Sequence, residues 1–245
     1  MIDFTIKVAD NIINVSALHR STCERCADYL WEGAADFSVV ITHEDIAYES
    51  KKADRERALE GLPPHSFSDG YLELTAVQRK IAEELFCHDT LIFPGSVVAV
   101  DGNAYLFTAK SGTGKSTHTR LWRELFGDRA VMVNDDKPFL KITEKGVIAY
   151  GSPWNGKHHL GSNVAVPLKA ICVLERSEHN QIQRIAPQYA LPMLIQQSNR
   201  PVNGGLMGKY MDLIDGLSHN VEFYRMGCNM DPEAARVAYE GMNKV

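Results

Sequence analysis

The sequence predicts an α/β protein with a mixed β-sheet. Apolar stretches of strand length alternate with stretches of helical spacing along most of the 245 residues. Two of the strands, at 97–100 and 105–108, are joined by Asp101-Gly102-Asn103, which is a hairpin signal. Since hairpin partners are antiparallel, whereas strands joined through a helix are usually parallel, the sheet is expected to contain both kinds of pair.

The first part of the chain predicts a small α/β domain. Strands are predicted at 2–8, 11–15 and 37–42, and helices at 21–30 and 44–60. Glycines, prolines and a Ser-Asp-Gly between Gly61 and Gly70 interrupt this pattern. The stretch 72–86 has apolar residues at helical spacing and is interpreted as a connector to the second part. We therefore expect an N-terminal domain over 1–88 and a larger domain over 89–245.

The second part has the more regular pattern. Beyond the hairpin, strands are predicted at 130–133, 140–143, 146–150, 168–174, 181–185 and 221–226. Helices are predicted after the segment 109–117 as far as about residue 126, and near 188–198, 206–217 and 232–243. The last helix is preceded by Asp231 as N-cap and begins with Pro232, a favoured first residue.

The composition excludes several classes of protein. The chain carries 31 acidic and 26 basic residues and shows no basic stripe of the kind found in nucleic-acid binders. Its longest nearly apolar run, 165–174, contains Lys169 and is too short to span a bilayer. The first eleven residues lack the features of a signal peptide, and five cysteines without framework spacing suit a reducing compartment. We expect a cytoplasmic protein that binds neither nucleic acid nor membrane, and a homo-oligomer is left open.

Cys23 and Cys26 form a C-x-x-C pair, with His19 four residues before the first cysteine. On a helix the three side chains share one face, which is compatible with a metal or redox site. No second ligand pair follows at a zinc-like spacing, and the segment has the pattern of an ordinary amphipathic helix. Buried or inactive thiols are therefore the expected outcome.

The residues from Ala109 to Thr117 match the P-loop pattern, except that Ala109 replaces the first glycine. A predicted strand leads into the pattern and a predicted helix leaves it. Glycines let successive backbone N–H groups curl around phosphate oxygens, and a helix N-terminus favours anions. The alternative is an ordinary glycine-rich turn between a strand and a helix.

Within this loop Lys115 is expected to reach the β- and γ-phosphates, and Ser116 to bind Mg²⁺. The other expected nucleotide contacts in the loop are Ser111, Gly112, Thr113, Gly114 and Thr117. The predicted cofactors are accordingly ATP or GTP together with Mg²⁺.

Asp135 and Asp136 follow Ser116 by 19 and 20 residues, at the end of the next predicted strand. An acid at the end of a strand beside a P-loop is the expected second anchor of the metal. Two acids offer more, because one can support the metal while the other accepts a proton from an incoming hydroxyl. We therefore expect both to be catalytic together with Lys115. Ser116 and one acid, taken as Asp136, are the expected metal ligands; which acid takes which role stays open, and a solvated turn is the alternative.

Two further segments are candidates for the site. The glycine-flanked segment 151–159 offers Lys157 to a phosphate, and Trp154 or a histidine to a base or an acceptor. A structural loop with Trp154 packed inward is the equal alternative. Arg176 stands at the end of a predicted strand, where it can neutralise transferred charge. The alternative there is a surface pair with Glu175.

Four motifs in this order resemble the HPr kinase/phosphorylase and PEP carboxykinase superfamily, in an HPr-kinase-like (SynE-like) branch. They read FTAKSGTGKST, VNDDKPF, YGSPWNGK and VPLKAICVLERSEHNQI. The resemblance covers about residues 90–245. It implies a mixed-sheet P-loop kinase domain of the HPr kinase C-terminal or PEP carboxykinase type, preceded by the small α/β domain.

The resemblance also implies a function. It implies Mg²⁺-dependent transfer of the γ-phosphoryl group of ATP or GTP to a hydroxyl of a small molecule or to a serine of a peptide or protein. Lys115 and Ser116 would be the nucleotide and metal contacts, and Asp135 and Asp136 would share proton acceptance and metal support. The signature loop of the HPr enzymes is absent and Phe93-Pro94-Gly95 replaces their His-Gly, so HPr itself is not the expected acceptor. The alternative function is a regulatory module that binds nucleotide without turnover, or a slow NTPase.

Overall fold

The computed structural model describes residues 1–156 and 158–244. The chain divides into two compact units, Met1–Glu84 and Leu85–Val245. This division lies four residues before the predicted boundary between 88 and 89. That the two units are separable domains in solution stays a prediction.

The first unit contains a three-stranded sheet in the order β1–β2–β3. Its strands are β1 (Ile2–Val8), β2 (Asn11–Ala17) and β3 (Phe37–Val40). β1 and β2 form an antiparallel hairpin, and β3 pairs with β2 in parallel. The turn residues Ala9 and Asp10 both have positive φ angles, 49° and 64°. This backbone geometry is the one that matches the twist of a tight hairpin.

Three helices complete the first unit: α1 (Arg20–Arg25), α2 (His43–Leu59) and α3 (Asp69–Leu85, of which Leu85 belongs to the second unit). The predicted helix over 21–30 is therefore too long. After a single 3₁₀ turn at Ala27–Tyr29, the chain runs along the edge of β1. There the N–H of Trp31 donates a hydrogen bond to the carbonyl of Thr5 at 2.9 Å, and this pairing requires extended backbone.

Helix α3 belongs to the first unit, within the predicted N-terminal domain 1–88, and its last residue is the first of the second unit. The carboxylate of Glu73 is buried and accepts three hydrogen bonds from the region where α1 begins. The donors are the N–H groups of Leu18 and His19 and the hydroxyl of Thr22, at 2.5, 3.0 and 2.5 Å. His19 is the N-cap of α1, and its N–H, which has no partner inside the helix, is bound by this carboxylate. Most of the interruption at 61–70 is consequently a loop between α2 and α3, and α3 begins at Asp69.

The C-x-x-C pair lies at the end of α1. Cys26 is buried, and its burial together with the neighbouring Cys23 raises the pKa of its thiol to about 12. Such a thiol is a poor nucleophile at neutral pH. In the described part of the chain no group of three or more His, Cys, Asp or Glu side chains is placed to hold a metal ion.

The described residues of the second unit form nine strands in one sheet. The strands are β4 (Thr90–Ile92), β5 (Ser96–Val100), β6 (Asn103–Thr108), β7 (Ala130–Asn134), β8 (Phe139–Thr143), β9 (Gly146–Tyr150), β10 (Ala165–Arg176), β11 (Gln181–Ile185) and β12 (Glu222–Cys228). Its helices are α4 (Lys115–Phe126), α5 (Pro187–Gln197), α6 (Met207–Asn220) and α7 (Glu233–Asn243).

The sheet is mixed, which confirms the prediction of an α/β fold with a mixed sheet. The order is β4-β8-β9-β10-β6-β5-β7, and β12 adds to β10 and β11 to β12. β10 runs parallel to β6 and to β12, and the other pairs are antiparallel. With 12 residues β10 is longer than the predicted strand 168–174, because its first residues pair with β9 and the later ones with β6 and β12.

The sheet is also curled. The N–H of Ser162 donates to the carbonyl of Val133 in β7, at one end of the strand order, at 3.2 Å. Two residues later the carbonyl of Val164 accepts from the N–H of Gly151, which follows β9, at 3.0 Å. The segment 160–164 therefore brings the residues after β9 close to the end of β7.

Helices cover both faces of this sheet. On one face α5 and α6 contribute Leu194, Leu213, Ile214 and Leu217 to a buried apolar cluster. On the other face α4 and α7 contribute Leu121, Trp122, Ala235 and Ala238. Burial of these apolar faces stabilises the layered arrangement and fixes α4 against the strands that precede and follow it. None of the helices in the described residues is long and apolar enough to cross a lipid bilayer.

Candidate functional site

Three candidate segments meet at one edge of the second unit's sheet. β6 and β10 are parallel, while β7 is antiparallel to β5, which is itself antiparallel to β6. The carboxyl ends of β6, β7 and β10 therefore point the same way. β6 leads into the P-loop, β7 leads into the Asp135-Asp136 turn, and β10 ends with Arg176.

The P-loop backbone adopts conformations that require glycine. Gly112 and Gly114 have φ angles of 74° and 119°, a region that residues with a side chain rarely adopt. Gly114 is the N-cap of α4, so the first N–H groups of that helix, which have no intrahelical partner, border the loop. Inside the loop, the Thr113 N–H donates to the Lys110 carbonyl at 3.2 Å and the Lys115 ammonium to the Ala109 carbonyl at 3.1 Å.

A cleft of about 500 Å³ brings the predicted site residues together. It is lined by Ser111, Gly112, Gly114, Lys115, Ser116, Thr117, Asp135, Asp136, Gly156 and His158. Of the loop residues expected to contact nucleotide, Thr113 alone does not line the cleft, and its N–H is used inside the loop. Lys157, the remaining predicted contact, lies outside the described residues.

Lys115 is half-buried in this cleft. Burial lowers the pKa of its ammonium group, and Lys137 lowers it further, whereas the carboxylates of Asp136 and Asp135 raise it. The ammonium therefore lies in the field of both acids. A cation of this kind is suited to binding an anion that enters between the P-loop and the acid turn.

Asn134, the residue before the acid pair, fixes the turn and was not identified from the sequence. It is fully buried, and its side-chain oxygen accepts from the N–H groups of Asp136 and Lys137 at 2.8 and 2.7 Å. Its amide nitrogen donates to Ser152, to the hydroxyl oxygen at 3.0 Å and to the carbonyl at 3.2 Å. An asparagine just before a turn commonly accepts hydrogen bonds from backbone N–H groups of that turn. The position of Asn134 directly before the acid pair was therefore the signal for its role in the sequence.

Asp135 is connected to α4 by a chain of hydroxyl groups. It is 7% exposed, and its Oδ1 accepts a hydrogen bond from Ser96 at 2.6 Å. The Ser96 oxygen lies 3.0 Å from the Thr119 hydroxyl. The Thr119 hydroxyl also lies 3.3 Å from the carbonyl oxygens of Lys115 and Ser116 in the first turn of α4, to which it can donate. The chain holds Asp135 against the first turns of the helix that begins with Lys115.

Asp136 has more freedom than its neighbour. Its side chain is 45% exposed, and the Lys137 ammonium lies 3.9 Å from its Oδ1. A Cβ added at Gly156 would lie 3.1 Å from the Cβ of Asp136, so the segment after β9 approaches this acid closely. Gly156 also has a φ of 71°. Both observations explain why glycine stands at this position.

Some residues of the segment 151–159 have structural contacts, and others line the cleft. Ser152 donates to the Lys137 carbonyl at 2.7 Å, which ties the segment to the acid turn. The Trp154 side chain packs inward, with its ring 6.0 Å from that of Phe139 in an edge-to-face arrangement. The structural alternative therefore holds for Trp154. Gly156 and His158 line the cleft.

Arg176 does not form the surface pair with Glu175 that was its alternative. Glu175 instead pairs with Arg225, at 3.4 Å between Oε1 and Nε. The Arg176 guanidinium donates to the carbonyl of Gly112 in the P-loop at 2.6 Å. The residue thus contacts the loop that lines the cleft.

His118 is a buried imidazole in the P-loop helix that the sequence did not single out. Burial lowers its pKa from 6.5 to about 4, so it is neutral at physiological pH. The Trp122 indole N–H donates to its Nε2 at 3.1 Å, which places the proton of the neutral ring on Nδ1.

A loss of stability in mild acid is expected from His118. In the unfolded chain the imidazole takes up its proton near pH 6.5, whereas the folded protein resists protonation down to about pH 4. Stability is therefore complete above pH 6.5 and falls as the pH is lowered, by up to about 3 kcal/mol at pH 4. His118→Gln keeps an acceptor for Trp122 and should lose less stability over this range. Melting temperatures of both proteins between pH 8 and pH 4 measure the difference, and parallel curves would contradict the assignment.

Known proteins show only a distant similarity to this chain. No protein-family model and no curated protein matches the chain. Among solved structures, the Hpr(Ser) kinase/phosphatase from Coxiella burnetii matches over 53% of this chain and 88% of that chain, with 12% identity and a TM-score of 0.30. The chain thus has a distant structural neighbour of this kind. A structural similarity with a TM-score of 0.30 does not establish a family, so membership of the superfamily stays a prediction.

Proposed function

We propose that this chain is a Mg²⁺-dependent phosphotransferase that moves the γ-phosphoryl group of ATP or GTP to a hydroxyl group. The acceptor is a small molecule or a serine of a peptide or protein. The observation that supports the proposal most strongly is the shared cleft, which is lined by both the P-loop and the acid pair. Backbone amides, a lysine and carboxylates around one cleft are the groups that phosphoryl transfer uses.

The residues of the cleft fit a magnesium nucleotide. A Cβ added at Gly112 would meet no atom within 4 Å, so the space over the loop is open. The exposed hydroxyl of Ser116 and the two carboxylates are hard oxygen ligands, which Mg²⁺ prefers. Ser116 and the acid pair would hold Mg²⁺, which would supply positive charge that stabilises the negative charge of the phosphates during transfer.

The chain's own residues then have separate tasks. The first amides of α4 and the Lys115 ammonium bind the phosphates and screen their charge. One carboxylate of the acid pair accepts the proton of the incoming hydroxyl, and the other supports the metal. Asp135 is fixed by Ser96, whereas Asp136 is partly exposed beside Gly156, so the two acids are expected to respond differently to substitution.

The test uses the wild-type protein with Mg²⁺ and either ATP or GTP, mixed with a metabolite pool or with serine-containing peptides. A new phosphoester resonance in the ³¹P NMR spectrum, dependent on both Mg²⁺ and the pool, is the expected result. Lys115→Ala serves as the control that should produce no such resonance. Release of inorganic phosphate alone would identify a slow NTPase. Binding of nucleotide without any turnover would identify a sensing module.

A further inference from the structure

Arg176 reaches the P-loop from a neighbouring strand. It is the last residue of β10, which pairs in parallel with β6 and places Val173 opposite Thr108. The end of β10 therefore lies beside the loop that follows β6. From there the Arg176 guanidinium donates a hydrogen bond to the Gly112 carbonyl at 2.6 Å.

With this hydrogen bond, both polar groups of one peptide unit in the P-loop have hydrogen-bond partners. The carbonyl of the peptide between Gly112 and Thr113 is held by Arg176, and its N–H is held by the Lys110 carbonyl at 3.2 Å. Rotation of this peptide plane would break both hydrogen bonds. Gly112 has a φ of 74° and no side chain to restrict it, so without Arg176 the loop would sample more conformations.

We propose that Arg176 is a positioning residue of the phosphate site, which acts through the backbone of the P-loop and not by touching the nucleotide. The inference rests on the proposed function, because it assumes that the loop binds phosphates. An ordered loop presents its N–H groups to the phosphates without a further loss of conformational entropy on binding. A charge-assisted hydrogen bond from a planar guanidinium is well suited to hold a carbonyl in this way.

Arg225 provides a matched control. Arg176 and Arg225 both line a second, polar cleft of about 440 Å³ beside the P-loop, together with Ser177 and Gln183. Arg225 pairs there with Glu175 and has no hydrogen bond to the P-loop among the described residues. Loss of Arg225 removes a similar charge from the same cleft and leaves the Gly112 carbonyl held.

The experiment measures the Kd of Mg²⁺-ADP and of a non-hydrolysable Mg²⁺-ATP analogue by calorimetry. The proteins are the wild type, Arg176→Ala, Arg176→Gln and Arg225→Ala, and the glutamine variant keeps part of the side-chain stem. Both Arg176 variants should bind each nucleotide roughly fivefold to tenfold more weakly, which corresponds to the entropy of ordering about one residue of the loop backbone on binding. Arg225→Ala should bind like the wild type.

The comparison of the two nucleotides separates positioning of the loop from direct contact with the γ-phosphate. An equal loss for both supports action through the loop, whereas a loss confined to the ATP analogue would replace it by contact with the γ-phosphate. Wild-type affinity in the Arg176 variants would overturn the inference and leave the proposed function intact. Failure of the wild type to bind either nucleotide would overturn both.

Discussion

Asp135→Asn and Asp136→Asn are each expected to lower turnover by roughly 100-fold or more while measurable nucleotide affinity remains. The amide preserves the shape of the side chain, and in the first variant it can still accept the hydrogen bond from Ser96. It can neither accept a proton nor offer a full negative charge to a metal ion. Steady-state rates and nucleotide Kd values of both variants give the measurement.

The dependence on Mg²⁺ then assigns the roles. The variant that has lost metal support should need more Mg²⁺ for half-maximal activity and should recover part of its rate at high Mg²⁺ concentration. The variant that has lost the base should keep the wild-type Mg²⁺ dependence at a reduced rate. Asp212→Asn, an exposed acid on α6 outside the cleft, is the control and should behave like the wild type. Retained activity in both cleft variants would show that the acid pair is structural.

Lys115→Ala should abolish most of the stabilisation that nucleotide gives to the folded protein. At a ligand concentration 100 times the Kd, binding stabilises a protein by about 2.7 kcal/mol, which raises the melting temperature by roughly 5–10 °C for a unit of this size. The ammonium is half-buried in the cleft, so its loss removes a cation where water screens poorly. Thermal shifts with Mg²⁺-ATP and Mg²⁺-GTP are the measurement.

Two comparisons make this result interpretable. Lys115 also donates to the Ala109 carbonyl, so the melting temperature of the nucleotide-free variant must be compared with that of the wild type. Lys145→Ala removes an exposed lysine from the turn between β8 and β9 and should leave the shift unchanged. Equal shifts in Lys115→Ala and the wild type would remove the basis for assigning the P-loop to nucleotide binding.

Local sequence patterns predicted those features of the structure that depend on neighbouring residues alone, such as turns and loop conformations. The Asp101-Gly102 turn specifies a hairpin, and glycines at 112 and 114 supply the left-handed backbone of the P-loop. The acid pair was expected near the P-loop because it follows the next predicted strand. The intervening helix returns the chain to the same sheet, so the two segments reach the same edge.

Contacts between distant positions could not be predicted in this way. Asn134 and Ser152 are 18 residues apart, and Ser96 and Asp135 are 39 apart, so no local periodicity marks either pair. The contacts of α3 with the start of the chain could not be predicted for a similar reason. Its buried Glu73 has partners about 50 positions earlier in the chain, and these contacts place the helix within the first unit.

The position of β10 in the chain affects how the protein can fold during synthesis. This strand contacts β9, β6 and β12, yet its last residue is Arg176, so the edge of β6 that it covers stays open until most of the chain has been translated. β6 carries the P-loop, which therefore reaches its final surroundings late. The first unit has all of its strands within the first 40 residues and its last helix ends at Leu85, so it has no such delay. The strand pairing of the first unit is therefore local in the sequence, whereas that of the second unit requires a distant strand, and non-local pairing slows folding.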